Sequence, residues 1–202
     1  FELKYKGLDT SSGAMYATET TIAEKSVSHG AGAPAGTDAD GNAVKIVRKY
    51  LEGKDGTENG AIGYETTAPV SSASGATDIY SALYWSGKKL SGIIEMEYDI
   101  KIEGKMQFEF ETSGSNWGNF GPDNMINRGK IAGVKEYVSG EWFHMKHVIN
   151  IGTAKQDLYF NDELIVSGAN VVGAAGITTV KVQARAEASD IRSSVAIDNF
   201  TF

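Results

Sequence analysis

An all-β sandwich of two antiparallel sheets, with about ten to twelve strands, is the fold class this sequence predicts. Three observations carry it. Apolar and polar residues alternate with a period of two in segment after segment, whereas a helix would need a repeat of about 3.6. Glycine (24 residues) far outnumbers proline (3), which suits turns that need positive φ. The 202 residues fit a single large β domain, taken as 1–202, that buries roughly 70% of its unfolded surface without crosslinks.

Taken in order, the first half predicts strands near Phe1–Lys6, Ile22–His29, Ala43–Tyr50 and Ile79–Trp85. Two long loops separate them, Gly30–Asn42 and Glu52–Ala76, both rich in small residues. The clearest alternation follows: Ile94, Met96, Tyr98, Ile100 and Ile102 against Glu95, Glu97, Asp99 and Lys101. Gly104 comes next, and then Met106, Phe108 and Phe110 against Gln107, Glu109 and Glu111, which predicts an antiparallel hairpin. A third loop spans Ser113–Gly129. Beyond it Phe143, Met145, His147, Ile149 and Ile151 alternate with Trp142, His144, Lys146, Val148 and Asn150. Leu158 and Phe160 lead into a turn at Asn161-Asp162 and a strand at Leu164-Ile165-Val166. Val180, Val182 and Ala184 alternate with Lys181, Gln183 and Arg185, and Val195 to Phe202 is the closing strand.

Composition bounds the chemistry. There is no cysteine, so a disulfide framework, a thiolate metal site and a cysteine nucleophile are excluded. The net charge of −7 and pI near 5.0 argue against nucleic acid as a partner, because phosphates would be repelled. No apolar run approaches the ~20 residues of a spanning helix, so no membrane partner is expected. The opening Phe1 to Lys6 is neither a signal nor a transit peptide and reads as the start of a mature product or an excised module. No Gly-x-Ser-x-Gly elbow, phosphate-binding loop or His-x-x-x-His pair occurs.

Three stretches carry a family resemblance. Gly140-Glu141-Trp142 with the following alternating strand, then Leu158-Tyr159-Phe160-Asn161-Asp162-Glu163-Leu164-Ile165, resembles a signature of concanavalin-A-like and laminin-G-like jelly rolls. Ala196-Ile197-Asp198-Asn199-Phe200-Thr201-Phe202 is similar to the closing strand of many bacterial carbohydrate-binding modules, and Phe1-Glu2 to their opening one. The resemblance implies a secreted or cell-surface domain, a monomeric module of a larger protein, that binds a plant or microbial polysaccharide without catalysis. It also implies a structural calcium held by Glu2 and Asp198, with Asn42 as a third contributor; a turn-capping Asp198 and a solvated Glu2 are the alternative. Asp38-Ala39-Asp40-Gly41-Asn42 starts like an EF-hand loop, but Lys49 stands where the bidentate glutamate belongs. Trp142 matches a position that is structural in laminin-G-like folds.

Sugar recognition needs an aromatic plane for the C–H face of a pyranose and polar groups for its hydroxyls. Two places offer them. One is the loop around Asn116, Trp117, Asn119 and Phe120. The other is a polar sheet face on which alternation could bring together His144, Lys146, Tyr159, Lys181, Gln183 and Arg185, beside Glu95 and Glu97. Catalytic relatives define the second reading. Laminarinase-type hydrolases carry a Glu-x-Asp-x-(x)-Glu strand, from which Glu95-Met96-Glu97-Tyr98-Asp99 departs in order. Alginate-lyase-type jelly rolls gather Arg, Gln, His and Tyr on one face, but their strand motifs are missing here. A structural or adhesive sandwich is the third. His147, on the apolar side of its strand, is expected to be a hydrogen-bonded core residue.

Overall fold

A computed structural model describes residues 26–27, 36–58, 60–72, 79–86, 92–113, 117–119, 126–127, 129–171, 179–186 and 189–201. Period-two alternation has the predicted outcome: every long element among them is a strand, ten of six residues or more. Seven strands form one antiparallel sheet: β4 (Ile46–Leu51), β5 (Ala61–Thr66), β7 (Ile93–Glu103), β13 (Trp142–Asn150), β14 (Lys155–Phe160), β15 (Glu163–Asn170) and β17 (Ser194–Thr201), in the order β15-β14-β13-β7-β17-β5-β4. The second sheet contains β1 (Ser26–Val27), β6 (Ile79–Ser86), β8 (Met106–Ser113), β9 (Trp117–Asn119), β10 (Ile126–Asn127), β11 (Lys130–Ile131), β12 (Lys135–Glu136) and β16 (Thr179–Ala186). Its order is β1-β6-β16-β8-β10-β11-β12, with β9 also paired to β8. A short ribbon joins β2 (Gly36–Thr37) to β3 (Ala43–Val44).

One core lies between the sheets. Ile94, Met96, Tyr98, Ile100 and Ile102 of β7, with Phe143, Met145 and Ile149 of β13, cluster with Met106, Ile131 and Ala186 of the other sheet. Alternation alone places them there, since residues two apart on a strand share a face. Successive long strands β6, β7 and β8 lie in alternate sheets, as do β15, β16 and β17, which makes the sandwich a jelly roll.

The expected hairpin between residues 94–102 and 106–110 is therefore corrected: β7 and β8 belong to opposite sheets and do not pair. Each must turn its own oily row toward the core, so the chain arches over the sandwich edge at Gly104 (φ 67) instead of folding back in plane. A side chain on Gly104 would meet Ser193 Oγ at 2.5 Å. The Asn161-Asp162 turn is as expected, both residues having positive φ (45° and 66°) and joining β14 to β15.

The loop predicted over Glu52–Ala76 contains a buried strand, β5, next to β17. Its composition hid it. Gly63 has no room for a side chain, since a Cβ there would lie 2.3 Å from the Val195 carbonyl oxygen and 2.5 Å from Leu51 Cδ1. The Gly30–Asn42 loop ends in the β2–β3 ribbon, where Asp38 Oδ1 accepts hydrogen bonds from the Asp40 and Asn42 amides. The expected strand at Phe1–Lys6 lies outside the described residues, as does most of Ile22–His29.

Candidate functional site

Two polar faces, one on each sheet, divide the residues that the sequence offered for a site. On the eight-stranded sheet the buried Met106 and its partner Ala186 fix which positions face the core. Alternate positions therefore share the outer face, and the register aligns them in rows. Ser86, Thr179, Ser113 and Trp117 form one row; Tyr84, Lys181, Glu111 and Asn119 form the next. Ala82, Gln183 and Glu109 follow, and then Tyr80, Arg185 and Gln107. The two sugar sites expected separately, the Trp117 loop and the Lys181, Gln183, Arg185 strand, thus meet on one face. β9 makes the join by adding a short strand beside β8, so the stretch expected to be loop is partly sheet. Asn116 and Phe120 lie outside the described residues.

His144 and Tyr159 do not belong to this face. They stand on β13 and β14 of the seven-stranded sheet, with Lys146, Glu95 and Glu97, so the grouping with Lys181, Gln183 and Arg185 is corrected. Alternation fixes which side of a strand a residue takes but says nothing about which sheet the strand joins.

The outer face of the seven-stranded sheet has its own geometry, centred on Asp99. This carboxylate is buried (5% exposed), although it lies on the polar side of β7. Its Oδ1 accepts from Lys54 Nζ at 2.8 Å and bonds His144 Nδ1 at 3.1 Å, and its Oδ2 accepts from Asn199 Nδ2 at 2.8 Å. Burial alone would push the carboxyl up, but the bonds from His144, Lys54 and Asn199 and the charge of Lys54 override it and hold the group at about 2. The bond to Asp99 raises His144 against the opposing effect of its burial, aided by the charges of Asp99, Glu97 and Asp162. The Asn161 turn positions His144, whose amide donates to Asn161 Oδ1 at 2.8 Å while the Asn161 amide donates to the His144 carbonyl at 2.9 Å. Next along β13, Lys146 Nζ lies 2.8 Å from Glu95 and 3.1 Å from Glu97. The three carboxylates of the Glu-x-Glu-x-Asp strand are thus each paired with a cation, an arrangement unlike an acid and nucleophile flanking an open cleft.

Of the residues expected around calcium, Glu2 lies outside the described residues. Asp198 Oδ2 accepts from the Lys54 amide at 2.9 Å and Oδ1 from the Asn199 amide at 2.7 Å, linking the β4–β5 connection to β17. Asn42 bonds Asp38 with its amide. Among the described residues no group of three or more His, Asp or Glu side chains is arranged to hold a metal. Each Asp198 oxygen thus already receives an N–H group.

His147 is the core residue expected, 1% exposed, with Tyr98 Oη 3.0 Å from Nε2 and Gln156 Oε1 3.5 Å from Nδ1. Trp142 is not in the core. It is half-buried on the outer face with the Lys101 ammonium 5.3 Å from its ring centroid. Lys54 and Asn199 were not singled out as site residues from the sequence, where Lys54 reads as part of a loop, and Asp99 was weighed only as the third carboxylate of the Glu-x-Glu-x-Asp strand.

No family model matches this chain, and no curated protein matches it. Among solved structures it is similar to a sialidase (13% identity, TM-score 0.47, 71% of this chain covered), of whose length it spans 15%. It is also similar to the alginate lyase AlgAT5 of polysaccharide lyase family 7 (15% identity, TM-score 0.46, 73% of this chain and 78% of that one). A third likeness is to the potassium-bound carbohydrate recognition domain of Emp46p (8% identity, TM-score 0.46, 90% and 89%).

Proposed function

We propose that this chain is a carbohydrate-binding module that recognises a polysaccharide on the outer face of its eight-stranded sheet. The alignment of Trp117 and Asn119 with Lys181, Glu111 and Tyr84 across four strands carries the reading. Such rows supply aromatic residues for the apolar face of a sugar and amides, carboxylates and cations for its hydroxyls, on a scaffold that binding need not reorganise. In this reading the domain works outside the cell as a monomeric module of a larger protein. Weak single-site binding suffices there, because tethering raises the effective concentration of the second contact.

Affinity measurements against a panel of neutral and acidic polysaccharides test it. Binding to at least one is expected, weakened roughly tenfold in Trp117→Ala, the loss for one stacked ring. Unchanged binding in Trp117→Ala together with loss in Tyr159→Ala would move the site to the seven-stranded sheet. No binding to any glycan would leave a structural or adhesive sandwich.

One row favours a second reading, a uronate polysaccharide lyase. Tyr80, Arg185 and Gln107 stand side by side, and a cation with an amide neutralises a uronate carboxylate while a phenol moves a proton. Release of unsaturated uronates from an acidic polymer, abolished in Arg185→Ala, would establish it.

A further inference from the structure

Asp99, Asp198, Ala196, Gly63 and Ala61 lie on the outer side of the seven-stranded sheet, since Val195, Ile197, Tyr64, Tyr98 and Ile100 beside them fill the core. All five are nevertheless buried, Ala61 and Ala196 at 0% and 1% exposure. The chain at and just after the end of β4 lies against them. Leu51 covers Gly63, where a Cβ would come within 2.5 Å of its Cδ1, and a Cβ on Gly53 would be 3.1 Å from Asp198 Oδ2. Residues 52–58 thus form a strap over the face, and Lys54 pins it at two points. Its backbone amide donates to Asp198 Oδ2 at 2.9 Å and its ammonium to Asp99 Oδ1 at 2.8 Å. Within itself the strap is closed by the Gly53 amide on the Thr57 carbonyl, the Gly56 amide on the Gly53 carbonyl and the Thr57 amide on Asp55 Oδ1. Such a turn can lift as a unit without breaking its own bonds.

A second cation reaches the same oxygen. His144 Nδ1, on β13, is 3.1 Å from Asp99 Oδ1. Lys54 and a protonated His144 are therefore like charges on one acceptor atom, and each weakens the other's hold. We propose that residues 52–58 are a strap that acid releases: protonated His144 takes Asp99 Oδ1 from Lys54, and the strap lifts from the outer face. The other charged groups around His144 leave this competition in place. Glu97 Oε2 is 3.9 Å from its Nε2 and is held by Lys146, which also binds Glu95. Asp162, in the β14–β15 turn, favours the charged ring together with Asp99 and Glu97. Asp198 accepts from the Lys54 and Asn199 amides, Asp55 accepts from the Thr57 amide, and Lys101 lies over Trp142. The bond to Asp99 raises His144 from 6.5 against the opposing effect of its burial, while Asp99, at about 2, remains the anion that both cations seek. Acid therefore favours both folded arrangements over the unfolded chain, and the lifted strap over the closed one.

Amide hydrogen exchange read by NMR on the 202-residue chain tests this with no sugar present, so the result does not depend on where a glycan binds. With rates corrected for intrinsic exchange, protection of the Lys54 amide is expected to fall about fivefold from about pH 9 to about pH 5. His144→Gln, which keeps a neutral donor toward Asp99, should show no such fall. Coupling between two sites runs both ways, so Lys54→Met is expected to move the His144 ring titration to higher pH. Lys54 protection that is equal at the two pH values, or greater in acid, would overturn the proposal. So would a His144 titration that stays in place or moves to lower pH in Lys54→Met, a readout that needs no variant of the histidine.

Discussion

Two histidines three residues apart on one strand show how much a single side-chain direction decides. His147 points into the core, with Gln156 Oε1 3.5 Å from its Nδ1 and the Tyr98 hydroxyl 3.0 Å from its Nε2, so both ring nitrogens have a partner there. Burial pushes it down from 6.5 to about 4, against a small opposing effect of Gln156. A depressed histidine binds fewer protons folded than unfolded. Its contribution is complete above pH 6.5 and is lost as pH falls toward about 4, about 3 kcal/mol over the window. Urea denaturation at a series of pH values should show this slope in wild type and its absence in His147→Leu; parallel curves would refute the assignment. Asp99 adds a lower limb, since its stabilisation is present above 3.8 and lost as pH falls to about 2. His144 has the opposite sign. Raised by Asp99, it stabilises below 6.5 and loses that contribution as pH rises through its folded value, so Asp99→Asn should flatten the curve at both ends. Alternation along the strand made the burial of His147 legible from the sequence. The burial of Asp99 was not, because the lysine that covers it is forty-five positions away.

Individual elements were legible where their pattern had contrast. β7, β13 and β14 alternate oily and charged residues, and the sequence reading matches them in place and direction. β5 has no such contrast, since its neighbours leave no room for a side chain at Gly63 and its composition then resembles a loop. Gly63→Ala tests that account. The added methyl meets the Val195 carbonyl oxygen at 2.3 Å, a backbone atom that cannot swing away. The substitution should therefore cost about 3 kcal/mol, lowering Tm by several degrees, whereas Gly56→Ala adds its methyl in open space and is strained only by a φ of 83°. Equal effects of the two would show that backbone strain, not crowding against β17, governs the position. The misread β7–β8 hairpin has a different origin. Two consecutive amphipathic strands look alike whether they pair or face each other across a core, and only the rest of the sheet settles which.

At the scale of the whole molecule, β17 holds the seven-stranded sheet together. It pairs with β7 on one side and β5 on the other, and β4 reaches the sheet only through β5. The last described strand thus inserts between elements from near the start and from the middle of the chain: Ile197 pairs with Ile62 and with Ile100. The seven-stranded sheet cannot be completed until β17 is in place, and the closing pairs enclose very long loops. Such topology folds on the order of milliseconds to seconds, slower than helical domains of similar size. Truncation after Ser193 is expected to leave no cooperative unit, because the β4–β5 ribbon loses its neighbour and Tyr98 loses the ring of Phe200, 6.0 Å away. The 202-residue chain should show a single unfolding transition by near-ultraviolet and far-ultraviolet circular dichroism, and the truncated chain none by the near-ultraviolet signal. A truncated chain that still melts cooperatively would mean that β15-β14-β13-β7 and its partner sheet suffice as a core. The face carrying Trp117 and Lys181 would then be separable from the strand that closes the sandwich.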